Sequence, residues 1–513
     1  MAITQTFSET PISGVNVNNP TSLQIGPDGR LYVAQQNGIV KVYDLTVDGN
    51  GWQASGEQII GLVQDVPNHD DNGDLNSNVN GRQVTGLSVW ENAQGEIELY
   101  VTSSDPRIGA GGGGNDVNLD TNSGIISRLT FDDATGSWDK TDLVIGLPRS
   151  EENHSTNGLA IRVENVDGED RVIAYVASGG FDNKGAPSNN FAYTPEYYYS
   201  GAILRVDITA LETMEAGLLA GGGLNGGTSY VDSYVYALPT LDDPTRANSN
   251  GLSGDGAQDG ADIDDNGTVD TGIGVADAAA ADTFGGNDGR NQAKFDADGP
   301  VQIYSAGYRN HYDIAITPDG NIYSFDNGPN NGWGDEPIDA NGDVVTSTAQ
   351  IATNAPDTLN DGSDPTSNDS APDNLHLVTE GFYAGHANPT RASGADAGLW
   401  SGGGDGLSFE TQLTDPNDPA NDPTTVWDDL PADWGTINGD LDNPQEGVWI
   451  SPGGSGATKG PDGSLFKIGS SSNGLTAYSA EGITDNTGAE VLAVASFNGN
   501  ITFMRSEEHT SEL

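Results

Sequence analysis

Apolar and polar residues alternate along this chain in short runs, and the runs come in sets. "TSLQIG" (21–26), "TGLSVW" (85–90), "NGLAIRV" (157–163) and "YDIAIT" (312–317) each read as a half-buried strand. A polar turn follows, then a second alternating strand with a central aromatic and a small-residue exit. "GPDGRLYVAQQNGIVKVYDL" (26–45), "GEIELYVTSSD" (95–105), "GEDRVIAYVASGG" (168–180), "TPDGNIYSFDNG" (317–328) and "GPDGSLFKIGSS" (460–471) share this plan, centred on Tyr32, Tyr100, Tyr175, Tyr323 and Phe466. Closing strands come next: "GIVKVYDL", "SGIISRLTF" and "SGAILRVDI". Asp-Gly at the turns supplies the positive φ that tight hairpins require. Strand, turn, strand, loop, strand, repeated without helices between, predicts antiparallel blades around an axis, an all-β propeller. A pair of β-sandwiches is the alternative, but it leaves the repeated Pro-Asp-Gly unit unexplained.

The aromatics are spaced more widely than bare blades require, so the longest intervals must hold insertions. These are the low-complexity segment 241–299 and the Asp/Pro/Asn-rich runs 335–375 and 402–445. Composition agrees: 513 residues, 71 of them Gly, 35% hydrophobic, and no helical periodicity sustained over several turns.

Charge changes the picture of partners. With 76 acidic against 19 basic residues the net charge is −57, a surface that repels nucleic acid and anionic lipid and stays soluble in salt. Cysteine is absent, which excludes disulfides and thiolate chemistry. The N-terminal residues MAITQTFSETPISG show neither a basic n-region nor an apolar h-region, and no run is long enough to span a bilayer. An extracellular or secreted location without a membrane anchor is the expectation. Residues 505–513, "RSEEHTSEL", read as the translation of a sequencing-library adapter. The propeller is therefore expected over 1–504, with the native chain continuing beyond Met504 and an export signal at the lost C-terminus.

Several motifs then point to chemistry. "GYRN…TPDGNIYSFDNGP…GWGDE", "GFYAGHANP" and "LPRSEENHSTNGLAI", joined to the strand-PDG-strand units, resemble the soluble quinoprotein glucose/sorbosone dehydrogenases. The resemblance spans roughly residues 20 to 504 as scattered motifs. It implies a six-bladed propeller, here missing its last blade. It also implies two cofactors, pyrroloquinoline quinone (PQQ) and calcium, a small sugar as substrate, and an external electron acceptor. By the same resemblance Arg309 and Asn310 hydrogen-bond the quinone carbonyls, and Gly328 and Pro329 turn backbone carbonyls toward calcium. His154 takes the proton from the C1 hydroxyl of the sugar. The family shows glycine three residues after that histidine, where this chain has Asn157, a residue that tolerates positive φ. His311 and Asp313 replace residues common after the family's Arg-Asn pair, so contacts on the substrate side are expected to differ.

A second calcium candidate needs no resemblance. Asp262, Asp264, Asn266 and Asp270 occupy positions one, three, five and nine of an EF-hand-like loop, with Gly267 at six. Position twelve is Ile273 rather than glutamate, so the segment reads equally as an acidic insertion that holds no ion. Two functions remain open: a PQQ- and calcium-dependent sugar dehydrogenase, or a redox-inactive, calcium-rigidified propeller that binds carbohydrate or serves adhesion. Fold does not separate them. A lactonase-type propeller would need acidic or amide side chains converging on a central calcium, which the sequence does not place.

Overall fold

The computed structural model describes residues 10–224 with short breaks, parts of 234–242, 291–338 and 371–400, and 446–505 with breaks. Within these residues the chain is built almost wholly of strands, in five blade-like sheets. The first runs Pro20–Ile25, Leu31–Gln35, Val40–Asp48 and Gly51–Ile60, and the second Gln83–Glu91, Ile97–Ser104, Gly124–Asp132 and Ser137–Leu147. The third is Thr156–Val166, Glu169–Ser178, Ala202–Asp207 and Val301–Ala306. The fourth is His311–Ile316, Ile322–Asp326, Asp373–Val378 and Phe466–Ile468, and the fifth Ser472–Tyr478, Val491–Ser496 and Ile501–Arg505. Successive strands in each blade pair antiparallel.

Five blades are thus present among the described residues, where the resemblance implied a six-bladed fold with its last blade missing. Val301–Ala306 closes the third blade, because it pairs with Ala202–Asp207 across the whole 241–299 insertion. The unit at 460–471 is not a blade-opening hairpin, since Phe466–Ile468 pairs with Asp373–Leu375 as an outer strand. A strand's alternation is local, whereas its partner is chosen by whatever edge lies nearby, so the sequence could not tell the two apart.

The repeated aromatic has a packing reason. Tyr32, Tyr100, Tyr175 and Tyr323 stand on the second strands of the first four blades, each at most 1% exposed. A ring that size fills the wedge between neighbouring sheets, and its hydroxyl needs a polar partner when buried. Tyr32 donates to Asp28 at 2.7 Å and Tyr100 to Glu98 at 2.8 Å. The apolar clusters follow the same logic, each joining one blade to the next: first to second, second to third, third to fourth, fourth to fifth.

One helix, Ile208–Gly221, was not expected. It buries only Ile208 and Leu211, too few apolar positions to leave a periodic signature. Its ends hold it instead. The Asp207 side chain accepts from Ala210 N–H, and Gly222 caps the other end at φ 86°. Glu215 takes a 2.7 Å bond from Arg128 of the second blade. Among the described residues no helix is long and apolar enough to cross a membrane.

Candidate active site

The innermost strands of blades three, four and five start at Thr156, His311 and Ser472, and the residues just ahead of them meet. His154, Arg309, Asn310 and Ser471 line one cavity of about 510 Å³, with Gly328 and Pro329 on its wall. Glu152, Asn153, Asn327, Asn330, Trp333, Ala371–Asp373, Ser455 and Gly469 complete it. His154 and Arg309 each stand two residues before an innermost strand, so the blade geometry presents both at the same end. Of the calcium candidates, Asp262, Asp264, Asn266 and Asp270 lie outside the described residues.

Arg309 is held from behind and open in front. Asp326 accepts backbone N–H bonds from both Arg309, at 3.0 Å, and Asn310, at 2.8 Å. That grip fixes the kink which the Arg-Asn pair makes before its strand. The guanidinium Nε donates to Asn183 Oδ1 at 2.9 Å, and the group lies 6.0 Å from the Trp333 ring centre. Nη1 and Nη2 make no hydrogen bond among the described residues, and no carboxylate lies within ion-pair distance. Burial loosens the guanidinium's hold on its proton, while Glu152, Asp326, Asp373 and Asp182 strengthen it from farther off. Arginine stays charged under such conditions. The cavity therefore faces a buried cation with four unused N–H donors.

His154 is 2% exposed, and its Nδ1 lies 2.8 Å from the Gly180 carbonyl. A carbonyl can only accept, so the proton sits on Nδ1 and the lone pair on Nε2. Burial, then the charge of Arg309, pushes the imidazole well below its ordinary value, so it is neutral and basic at Nε2. Glu152 Oε2 stands 3.8 Å from that nitrogen, and burial raises its carboxyl against the pull of Arg309 and Arg149. Gly179 allows the approach: a Cβ there would meet His154 Cβ at 2.9 Å and Asn310 Oδ1 at 3.1 Å.

Asn157 does not act through a left-handed backbone, since its φ is not among the positive ones. Its side chain does the work: Nδ2 donates to Asn310 Oδ1 at 2.9 Å and to the His311 carbonyl at 3.0 Å. It ties the histidine-bearing blade to the arginine-bearing one, a function glycine could not perform.

The Gly328-Pro329 exit is crowded by oxygen. A Cβ on Gly328 would meet the Ala371 carbonyl at 2.4 Å and that of Pro372 at 2.6 Å. Asp373 accepts from Gly328 N–H at 3.2 Å and from Ser472 N–H at 2.7 Å, and burial lifts its carboxyl to about 6. Burial likewise lifts Asp326 to about 7. Neither His311 nor Asp313 lines this cavity. His311 is fully buried, donates from Nε2 to the Ala202 carbonyl at 3.0 Å, and packs on Tyr308. Asp313 faces a different cavity.

Sequence reasoning missed Glu152, Asn183, Asp326 and Trp333. For Asp326 a signal was present, a carboxylate at a strand exit directly before Asn-Gly-Pro. Asn183 carried none.

No family model matches the chain, and no curated protein matches it. Solved structures do. The PQQ domain of pyranose dehydrogenase from Coprinopsis cinerea, in its holo form, is 12% identical with a TM-score of 0.32, over 72% of this chain and 54% of that one. The PQQ-bound aldose sugar dehydrogenase from Streptomyces coelicolor is 12% identical with a TM-score of 0.29, over 72% and 63%. The calcium structure of a Trichoderma reesei carbohydrate-active enzyme of family AA12 is 12% identical with a TM-score of 0.34, over 94% and 79%. The match spans little more than half of the first and under two thirds of the second. TM-scores this far below 0.5 carry no weight for function, which rests on the residues themselves.

Proposed function

We propose that this cavity binds PQQ with a calcium ion and that the chain oxidises the C1 group of a sugar, handing electrons to an external acceptor. The observation that carries the reading is the pairing, across one cavity, of a neutral imidazole with a free Nε2 and a buried guanidinium with unused donors. The residues present fit the group. Its carbonyls match the Arg309 donors and the Asn310 amide, and a hard cation matches the oxygen-only set around Gly328, Pro329, Ala371 and Pro372. A cavity of about 510 Å³ lies within the range of small-molecule sites.

When bound, the quinone supplies a two-electron acceptor for the hydrogen on C1. The chain's own work is to hold and move a proton. His154 Nε2 takes it from the sugar hydroxyl, and Nδ1–H, bonded to Gly180, keeps the ring in the receptive tautomer. Glu152, raised by burial, is placed to receive that proton in turn. Arg309 stabilises negative charge growing on the acceptor's oxygens, in a setting where little water competes. An acidic, cysteine-free chain suits an extracellular setting, which cell fractionation would test.

The deciding experiment adds PQQ and calcium to the chain and follows the quinone spectrum with a panel of aldoses. Bleaching by at least one sugar supports the proposal. Cofactor binding without bleaching by any sugar leaves a redox-inactive binding module, and no cofactor binding overturns the reading.

A further inference from the structure

Behind the site lies a cluster that the proposed chemistry does not use. Asp182 follows the second strand of blade three, Glu196 precedes its third strand, and His386 comes from the loop after Asp373–Val378. They are 0%, 0% and 4% exposed, and one ligand atom from each lies within 4.8 Å of the others. His386 Nε2 is 2.7 Å from Glu196 Oε1 and 3.5 Å from Asp182 Oδ1. Gly180 makes room: a Cβ there would lie 2.9 Å from both Glu196 Oε1 and His386 Nε2.

The grouping is costly as it stands. The Asp182 and Glu196 carboxyls face each other in the interior, with the His386 ring beside them. No lysine or arginine reaches within 4.0 Å of Asp182 among the described residues. A shared proton could relieve the repulsion, yet it would leave Asp182 Oδ2, a fully buried oxygen with no hydrogen-bond partner, without one. Chelation through both Asp182 oxygens removes that orphan and the repulsion together. Two carboxylates and an imidazole are the mixed donor set of borderline divalent ions, and imidazole is a poor ligand for calcium.

We propose that Asp182, Glu196 and His386 bind a divalent transition-metal ion of the zinc or manganese class. The site is distinct from the oxygen-lined Gly328 region and does not rest on the quinone reading. Its place gives it a structural task. Glu196 Oε1 also accepts the backbone N–H of Phe181, at 2.8 Å, and of Asp182, at 3.1 Å. Gly180 in turn accepts from His154 and donates to the Arg309 carbonyl at 2.7 Å. An ion here clamps the 180–182 turn that orients both cavity residues.

The test loads the full chain with zinc, desalts it to strip ions from the acidic surface, and measures bound metal. About one retained equivalent is expected, with an X-ray absorption spectrum showing one imidazole among oxygen ligands. Asp182→Asn and His386→Gln should each weaken zinc affinity more than about a hundredfold while circular dichroism stays that of the parent. Absence of a retained equivalent overturns the proposal, as does an all-oxygen spectrum from the parent chain or full retention in both variants. Should the variants fail to fold, the parent spectrum alone decides. Because the readout is metal content, its failure is separate from any failure of sugar oxidation.

Discussion

The same propeller strands surround two cavities of similar size with opposite chemical character. At the leading ends of the innermost strands of blades three to five is the His154–Arg309 cavity. Farther along lies one of about 460 Å³, touched by the innermost strands of all five blades, from Ser22–Gln24 to Leu475–Ala477. The second also contains a buried acid, Asp313, but its oxygens are used on the backbone N–H groups of Ile314, at 2.9 Å, and Leu475, at 3.0 Å. The Leu475 bond fastens blade five to blade four. In the first cavity, by contrast, the Arg309 Nη donors and the His154 Nε2 lone pair remain unused. Volume and burial therefore do not distinguish a reactive pocket from a structural one here; unsatisfied, oriented polar atoms do.

Breaking the reactive side should have the largest effect. His154→Gln keeps the hydrogen-bonding shape but removes the base, and should lower the sugar-dependent rate by about two to four orders of magnitude with PQQ affinity nearly unchanged. Unaltered turnover would take His154 out of the mechanism. Next comes Arg309→Ala, expected to weaken quinone binding and slow its reduction by about a hundredfold or more, as read by titration and single-turnover spectra.

A smaller effect sharpens the contrast through pH. Since burial and Arg309 hold His154 below its ordinary value, the base stays deprotonated under mildly acidic conditions, and the acid limb of the rate profile should fall below pH 6.5. An acid limb centred at or above that value would contradict the buried, neutral imidazole.

The smallest effect on turnover belongs to the other cavity. Asp313→Asn should leave sugar oxidation within a factor of about two while altering stability. Burial raises Asp313 to about 6, so its folded form holds a proton more tightly than the unfolded chain. Its contribution is present at low pH and is lost as pH rises through about 6. The parent should thus lose stability relative to the variant between pH 4 and 7, by about 2 kcal/mol in chemical denaturation. A drop in turnover comparable to that of Arg309→Ala would erase the distinction between the cavities.

Much of this was legible beforehand. Alternation, Asp-Gly turns and the recurring tyrosine marked the hairpins, because each reflects the pleat and φ demands of a few adjacent residues. The Arg-Asn and Asn-His motifs drew their roles from resemblance to a known family, and they lie at strand beginnings where loops carry chemistry. Which strand closes which blade was not legible, as Val301–Ala306 and Phe466–Ile468 show, since their partners lie across long insertions. Nor was the meaning of Asn157, whose value lies in a bond to a residue 153 positions away.

By itself, then, the sequence determined the strand repeat, the strongly acidic surface and the residue types His154 and Arg309 at equivalent blade positions. Only the tertiary structure decided that those two share a cavity, that His154 presents Nε2 rather than Nδ1, and that Asp182, Glu196 and His386 converge behind them. The reason is physical. Side-chain periodicity acts over a few residues, whereas burial, tautomer and charge depend on groups that only the packing of blade on blade brings within hydrogen-bonding range.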